Sequence, residues 1–255
     1  MNEFLGRLRG SDPVLMLAIR SSRTADVVRI AKSTGHHAVM VDLEHSTMPL
    51  DVAASLCGCA GDLGLFPFVR VPERDYGALG RLLDCGAQGI IAPRVETAAE
   101  AATVARACRF APRGQRSQLA AVPQAGLRPT PAATLNPALD DATVVQILIE
   151  TPAGVRRADE IAAADGVDML AFGANDFTAE LGVPGQYTDP RVTEAVAALA
   201  GACKRHGKLL MVGGIPDPAV LPHLDSLGVC PLRLTGTDTD MLYAGAAARA
   251  ERFAT

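Results

Sequence analysis

The chain has 255 residues, of which 49% are hydrophobic and 20% charged, and this composition excludes a disordered protein. The net charge is −4 with scattered lysines and arginines, and aromatic residues make up only 4%, so a nucleic-acid-binding surface is not expected. The length suits one (β/α)8 barrel, and we predict a single domain over residues 1–255.

Short apolar runs alternate with Ala-rich amphipathic stretches, a pattern that predicts strands followed by helices. In chain order, the first half is predicted to contain strand 14–19, helix 24–34, strand 38–43, helix 49–60, strand 66–71, helix 76–85, strand 89–92 and helix 97–109. The alternation breaks over 112–140, where several prolines predict a long loop with one short helix at 131–139. A long loop inside a compact domain is usually functional or disordered.

The alternation resumes after this loop and continues almost to the end of the chain. The second half is predicted to contain strand 144–149, helix 154–164, strand 168–172, helix 193–206, strand 209–212, helix 218–227, strand 231–234 and helix 238–253. Eight strand–helix units indicate a parallel sheet closed into a barrel. A doubly wound open sheet is the alternative, but it would need a Gly-rich turn after the first strand, where residues 20–23 read Arg-Ser-Ser-Arg.

The six cysteines show neither a CxxC pair nor zinc-type spacing with histidine, and we expect reduced thiols in a cytoplasmic protein. They are Cys57, Cys59, Cys85, Cys108, Cys203 and Cys230. The first ten residues lack the apolar region of a signal peptide, so no leader is expected. Charge or glycine interrupts every apolar stretch before about 18 residues, so a membrane span is not expected either.

Ionisable side chains follow several predicted strands, at the end of a barrel where active sites lie. These residues are Asp42, Glu44 and His45 after the second strand, Arg70 at the third, Arg94 after the fourth, Glu150 after the fifth, Asp176 beyond the sixth and Arg233 on the eighth. Taken singly, Asp176 could cap a helix, and Glu150 could pair with Arg156 or Arg157. Together with Arg70, the two carboxylates favour a site for a hard divalent cation such as Mg²⁺ or Mn²⁺.

Two further side chains suggest chemistry beside such an ion. Arg70 either neutralises the carboxylates or grips a substrate carboxylate or carbonyl through its guanidinium, and in the second role it would stabilise an enolate. His45 lies three residues after Asp42, so it is a candidate general base whose imidazole Asp42 would orient. A solvated surface histidine is the alternative.

Several segments of the chain, taken in order, resemble the HpcH/HpaI aldolase family of metal-dependent class II pyruvate aldolases, which includes 4-hydroxy-2-oxoheptanedioate and 2-dehydro-3-deoxyglucarate aldolases. The resemblance spans nearly the whole chain, and the order and spacing of the segments make it specific. The segments are 22–35, Val-Asp-Leu-Glu-His at 41–45, Phe-Val-Arg-Val-Pro at 68–72, 86–93, Pro-Arg-Gly at 112–114, Gln-Ile-Leu-Ile-Glu-Thr at 146–151 and 166–182.

The resemblance implies a (β/α)8 barrel whose last helix is exchanged between subunits, in a homohexamer built as a trimer of dimers. It also implies reversible cleavage of 4-hydroxy-2-oxo acids into pyruvate, or hydroxypyruvate, and an aldehyde through a metal-bound enolate, with Mg²⁺, Mn²⁺ or Co²⁺. The implied roles are metal binding for Glu150 and Asp176, enolate stabilisation for Arg70, proton transfer for His45 with Asp42, and substrate contacts for Gln146 and the backbone amides of Ala174, Asn175 and Asp176.

One departure from the family pattern falls on the predicted site. The chain reads Gly-Ala-Asn-Asp-Phe at 173–177, where the family commonly reads Gly-Pro-Ala-Asp-Leu, so Asn175 is expected to change how the substrate carboxylate is held. A Schiff-base mechanism is not expected, because Lys32, Lys204 and Lys208 lie away from the predicted carboxyl ends of the strands. The alternatives are a related lyase, such as an oxaloacetate decarboxylase or an acyl-CoA lyase, and a non-catalytic binding barrel.

Overall fold

Eight parallel strands form the centre of the protein, in a computed structural model that describes residues 2–254. The strands are β1 (Val14–Ile19), β2 (Ala38–Asp42), β3 (Phe66–Arg70), β4 (Gly89–Ala92), β5 (Val144–Ile149), β6 (Met169–Gly173), β7 (Leu209–Gly213) and β8 (Leu232–Thr237). Their order in the sheet is β7-β6-β5-β4-β3-β2-β1-β8, and β7 also contacts β8. The sheet therefore nearly closes on itself, and the predicted (β/α)8 barrel is confirmed.

Helices surround this sheet and connect its strands. They are α1 (Glu3–Leu8), α2 (Asp26–Ser33), α3 (Leu50–Asp62), α4 (Leu79–Asp84), α5 (Ala98–Ala107), α6 (Ala132–Ala142), α7 (Pro152–Arg156), α8 (Ala158–Ala163), α9 (Ala174–Glu180), α10 (Pro190–Arg205), α11 (Leu221–Ser226) and α12 (Asp238–Phe253). Short 3₁₀ turns lie at Tyr76–Ala78, Pro123–Ala125 and Pro218–Val220. Of the described helices, none is long and apolar enough to cross a membrane.

Several elements differ between the prediction and the structure. The sequence reading missed α1, which begins after Asn2, whose side chain accepts hydrogen bonds from the N–H groups of the first turn. The helix predicted at 154–164 is two helices, α7 and α8, separated at Arg157. Strand β8 extends to Thr237, so Arg233 lies near its amino end, where it pairs with Asp225. Placing Arg233 at the carboxyl end of the barrel was therefore wrong.

Strands β2, β3, β4 and β5 are buried along their whole length, which explains the aliphatic composition. One apolar layer lies between the sheet and the helices, and a second fills the barrel interior with residues such as Met16, Met40 and Phe68. Gly89 leaves room for that Phe68 ring, because a Cβ at this position would lie 2.2 Å from a ring carbon. The six cysteines form no disulfide within residues 2–254.

Candidate active site

A cavity of about 550 Å³ opens at the carboxyl ends of the strands and continues into the barrel. It is lined by nearly all of the side chains predicted to bind metal or substrate, namely His45, Arg70, Gln146, Glu150, Ala174, Asn175 and Asp176. The parallel strands bring these residues together, because all but Gln146 lie on or just beyond the carboxyl end of a strand. Gln146 lies in the middle of β5 and reaches the cavity from the barrel interior. The exception is Asp42, which is 0% exposed and lies behind the cavity wall.

Asp42 is the buried centre of a charged network. Its carboxylate accepts hydrogen bonds from Arg70 at 3.0 and 2.6 Å, and from Nε of Arg20 at 2.6 Å. Asp42 and Arg70 are direct neighbours in the β2–β3 register. Burial alone would raise the pKa of Asp42, but the hydrogen bonds and charges of the two arginines hold it below its ordinary value. Asp42 is thus ionised and fixes both guanidinium groups.

The predicted orientation of the His45 imidazole by Asp42 is not what the structure shows. Asp42 accepts a hydrogen bond from the backbone N–H of His45 at 3.3 Å, while the imidazole Nε2 lies 3.7 Å from the carboxylate of Glu44. Glu44 is also 3.0 Å from Nη1 of Arg70, so it links the arginine to the histidine. The His45 side chain is about half exposed at the mouth of the cavity. Sequence reasoning recorded Glu44 at a strand end but gave it no role.

Glu150 is 4% exposed and lies against the end of β6. The backbone N–H of Arg94, a residue with φ of 51°, donates to its Oε2 at 3.2 Å. Burial, together with the negative charges of Asp176 and Glu44, raises the pKa of Glu150 to about 7. The alternative pairing with Arg156 or Arg157 is not made, since Glu150 faces the cavity and Arg157 bonds the carbonyl of Glu96.

Gly173, the last residue of β6, makes room for this carboxylate. A Cβ at Gly173 would lie 2.6 Å from Cγ and Oε1 of Glu150. We expect Gly173→Ala to displace the Glu150 carboxylate and to weaken divalent metal binding by tenfold or more, in line with other losses of a supporting contact. Isothermal titration with Mn²⁺ measures this. Gly80→Ala, in open space on α4, is the matched control, and equal affinities in the two variants would contradict the expectation.

Asn175 and Asp176 lie in the first turn of α9, directly after Gly173. The amide oxygen of Asn175 accepts a hydrogen bond of 2.5 Å from the Tyr187 hydroxyl. Its amide nitrogen is close to Gly214, where φ is +83° and a Cβ would lie 3.1 Å away. Asn175, which stands where the family commonly has alanine, therefore has its side-chain amide held in one orientation. Asp176 does not cap the helix with its side chain and lines the cavity instead.

The donor set of the cavity suits a hard divalent cation. Glu150 and Asp176 supply carboxylate oxygens, and Oε1 of the buried Gln146 has no hydrogen-bond partner within residues 2–254. Its Nε2 faces the sulfur of Met211 at 3.4 Å, so the free oxygen is the one available to an ion or a substrate. No cluster of three or more His, Cys, Asp or Glu side chains with metal-binding geometry occurs in the described part of the chain. Two carboxylates with substrate and water are the expected coordination for Mg²⁺ or Mn²⁺.

Known proteins resemble the chain in sequence and in fold. The sequence model of the HpcH/HpaI aldolase/citrate lyase family matches residues 16–212. A 4-hydroxy-4-methyl-2-oxoglutarate aldolase of Hapsidospora irregularis is 42% identical over 78% of this chain and 74% of its own. A hydroxypyruvate/pyruvate aldolase of Pseudomonas aeruginosa is 30% identical over 99% of this chain and 93% of its own. An HpcH/HpaI aldolase of Desulfitobacterium hafniense superposes with a TM-score of 0.90 at 26% identity, covering 98% and 95% of the two chains.

These relatives confirm the predicted enzyme class, a class II aldolase and hence an aldehyde-lyase. The family also points to a divalent metal ion, and the relatives are named for small-molecule substrates. Sequence, fold and cavity agree, and this chain belongs to the HpcH/HpaI aldolase/citrate lyase family.

Proposed function

We propose that this aldolase uses Mg²⁺ or Mn²⁺ to cleave and form 4-hydroxy-2-oxo acids, with pyruvate or hydroxypyruvate as the 2-oxo acid product. The observation that supports this most is the buried Glu150 beside Asp176, in the same cavity as Arg70. The names of the relatives, which act on 4-hydroxy-4-methyl-2-oxoglutarate and on hydroxypyruvate or pyruvate, support the same substrate class. When bound by Glu150 and Asp176, the ion supplies a Lewis acid for the 2-oxo group.

Arg70 is the proposed electrostatic partner of the enolate. Its Nε and Nη2 donate hydrogen bonds to Asp42, and its Nη1 forms an ion pair with Glu44 at 3.0 Å, so the guanidinium is oriented before substrate enters. Preorganised positive charge of this kind stabilises negative charge that develops during the reaction. Gln146, with its free Oε1, and the first turn of α9 around Ala174 are the proposed contacts for the 2-oxo acid.

His45 is the proposed proton-transfer residue, and its imidazole lies 3.7 Å from the carboxylate of Glu44 rather than on Asp42. In the cleavage direction the base accepts the proton of the 4-hydroxyl group, and the C3–C4 bond breaks with its electron pair retained on the three-carbon fragment as an enolate. The C4 fragment leaves as a carbonyl compound. A proton then returns to C3, which gives the free 2-oxo acid.

Assembly and location are further parts of the proposal. Helix α12 buries none of its residues against the barrel, and it exposes Leu242, Tyr243 and Phe253, the last by 85%. These exposed apolar side chains support a contact of α12 with another subunit. Exchange of α12 within a homohexamer is the assembly that we propose. The cytoplasmic location predicted from the free thiols is retained as a proposal.

Metal removal tests the proposed function directly. We expect EDTA to abolish cleavage of 4-hydroxy-2-oxopentanoate, and Mg²⁺ or Mn²⁺ to restore it, with pyruvate as the measured product. Treatment with borohydride and pyruvate should leave the intact mass unchanged, because no lysine is among the described residues that line the cavity. Activity that survives EDTA, or a pyruvate adduct in the mass spectrum, would contradict the mechanism. Oxaloacetate belongs in the same assay, since its decarboxylation would give the same enolate.

A further inference from the structure

Arg20 has no assigned role in the reaction, yet it lines the active-site cavity directly after β1. Its backbone is held by the first residue of α12, because the N–H groups of Arg20 and Ser22 donate to the Asp238 carboxylate at 2.9 and 2.6 Å. The side chain is held as well, since its Nε donates to Asp42 at 2.6 Å. Arg20 is therefore fixed at both ends before any substrate binds.

The two arginines around Asp42 differ in how many of their guanidinium nitrogens are engaged by protein carboxylates. Arg70 is 9% exposed and uses all three of its nitrogens on Asp42 and Glu44. Arg20 uses only Nε, and across residues 2–254 no partner is found for its two Nη groups. Its side chain is 36% exposed. Arg20 thus offers a paired set of N–H donors that matches the geometry of a carboxylate.

The strand order places Arg20 across the cavity from the proposed metal ligands. In an eight-stranded barrel with the order β7-β6-β5-β4-β3-β2-β1-β8, strands β1 and β5 are four positions apart and lie on opposite sides. Arg20 and Glu150 line the same cavity, so a substrate with C1 and C2 near Glu150 and C4 toward β1 would bring the substituents on C4 to Arg20.

We propose that Arg20 is a specificity-determining residue, which binds the carboxylate carried on C4 when the substrate is a 4-hydroxy-2-oxo dicarboxylate. This inference rests on the proposed aldolase function and adds the residue that recognises the second carboxylate. The 4-hydroxyl proton passes to the base, and the C3–C4 bond breaks with its electron pair left on C3 as the enolate. C4 becomes the carbonyl carbon of a second 2-oxo acid, and C3 is then protonated. Both products are 2-oxo acids, in place of one 2-oxo acid and a simple aldehyde.

The competing explanation is that Arg20 only neutralises the buried Asp42. In that case, its loss would harm all substrates alike, because Arg70 depends on the same carboxylate. A carboxylate contact predicts something different: the loss falls mainly on substrates that carry the second carboxylate. The ratio of activities on two substrates separates these explanations, whatever common loss the substitution causes.

The test compares kcat/KM for 4-hydroxy-4-methyl-2-oxoglutarate and 4-hydroxy-2-oxopentanoate, with saturating Mn²⁺ and lactate dehydrogenase to detect pyruvate. We expect Arg20→Gln to lower the dicarboxylate-to-monocarboxylate ratio tenfold to hundredfold relative to wild type, mainly through KM. Arg20→Lys should give an intermediate ratio, because it keeps the charge but not the paired donors. Arg29→Gln, which removes an exposed arginine paired with Asp26 on α2, is the matched control and should leave the ratio unchanged.

Each outcome bears on the inference. An equal loss on both substrates would overturn it and leave Arg20 as a support for Asp42, and so would a wild-type enzyme that cleaves only the monocarboxylate. Cleavage of neither substrate by the wild type would overturn the proposed function, and the inference with it. Circular dichroism shows whether Arg20→Gln folds. If it does not fold, Arg20→Lys tests the inference instead, and an unchanged dicarboxylate-to-monocarboxylate ratio in that variant would contradict a paired contact between Arg20 and the C4 carboxylate.

Discussion

Replacing Glu150 by Gln is expected to lower aldol cleavage by about 10³-fold or more and to remove the stabilisation of the protein by Mn²⁺. The amide keeps the shape of the side chain but removes the negative charge that a divalent ion requires, and metal catalysis of this kind is worth several kcal/mol. In the wild type, Mn²⁺ should raise the Tm in proportion to the logarithm of its concentration, because it binds the folded state. In Glu150→Gln the Tm should not respond.

The matched control is Glu160→Gln, which removes a carboxylate exposed on α8. We expect this variant to keep the activity and the response of Tm to Mn²⁺. A Glu150→Gln enzyme with wild-type activity, or with an undiminished shift in Tm, would show that the metal is bound elsewhere. Asp176→Asn should resemble Glu150→Gln in both measurements, since the two carboxylates line the same cavity.

The raised pKa of Glu150 also gives a pH dependence to the stability of the metal-free protein. Its pKa is about 7 in the folded state, against 4.5 ordinarily, so ionisation of Glu150 opposes folding. The cost is absent below about pH 4.5, grows between these two values, and is complete above pH 7, where it reaches at most about 3 kcal/mol. In EDTA, Glu150→Gln should therefore gain stability relative to wild type as the pH rises from 4.5 to 7. If the difference in Tm between Glu150→Gln and wild type did not change with pH, this would contradict the raised pKa of the buried Glu150.

The sequence predicted most of the strands because their apolar runs are bounded by polar or turn residues. Strands β1, β4 and β5 have the predicted bounds. Helix α1 was missed because six residues carry too little periodicity for an amphipathic pattern. The helix predicted at 154–164 divides at Arg157, and no proline or glycine marks that position.

The composition of the site was predictable for a topological reason. Parallel strands in a barrel place all their carboxyl ends at one mouth, so a list of polar residues at strand ends is nearly a list of the cavity lining. The ion pairs were not predictable, because they depend on strand register. Asp42 lies opposite Arg70 in the β2–β3 pairing, and it is this pairing that takes the carboxylate away from the His45 imidazole. Arg20 follows β1 and could have been found with the other strand-end residues.

Replacing Arg70 by Lys is expected to lower kcat about 10²- to 10³-fold, with a smaller effect on KM. A lysine keeps one positive charge but cannot place Nε and Nη2 on Asp42 and Nη1 on Glu44 together, so the charge that faces the enolate is no longer fixed. The loss should fall on enolate formation itself. Solvent deuterium exchange at C3 of pyruvate, which needs no aldehyde, should therefore decline by a similar factor.

Arg70→Ala is a less direct test, because it leaves the fully buried Asp42 with only Arg20 as its charged partner. We expect it to cost about 1–3 kcal/mol of stability, seen as a lower Tm, in addition to the loss of activity. The control is Arg191→Lys, which makes the same substitution in the surface pair Arg191–Asp189. Ion pairs at the surface contribute little, so this variant should behave like the wild type. A kcat of Arg70→Lys near that of Arg191→Lys would exclude Arg70 from the enolate, and it would reduce its role to neutralising Asp42 and Glu44.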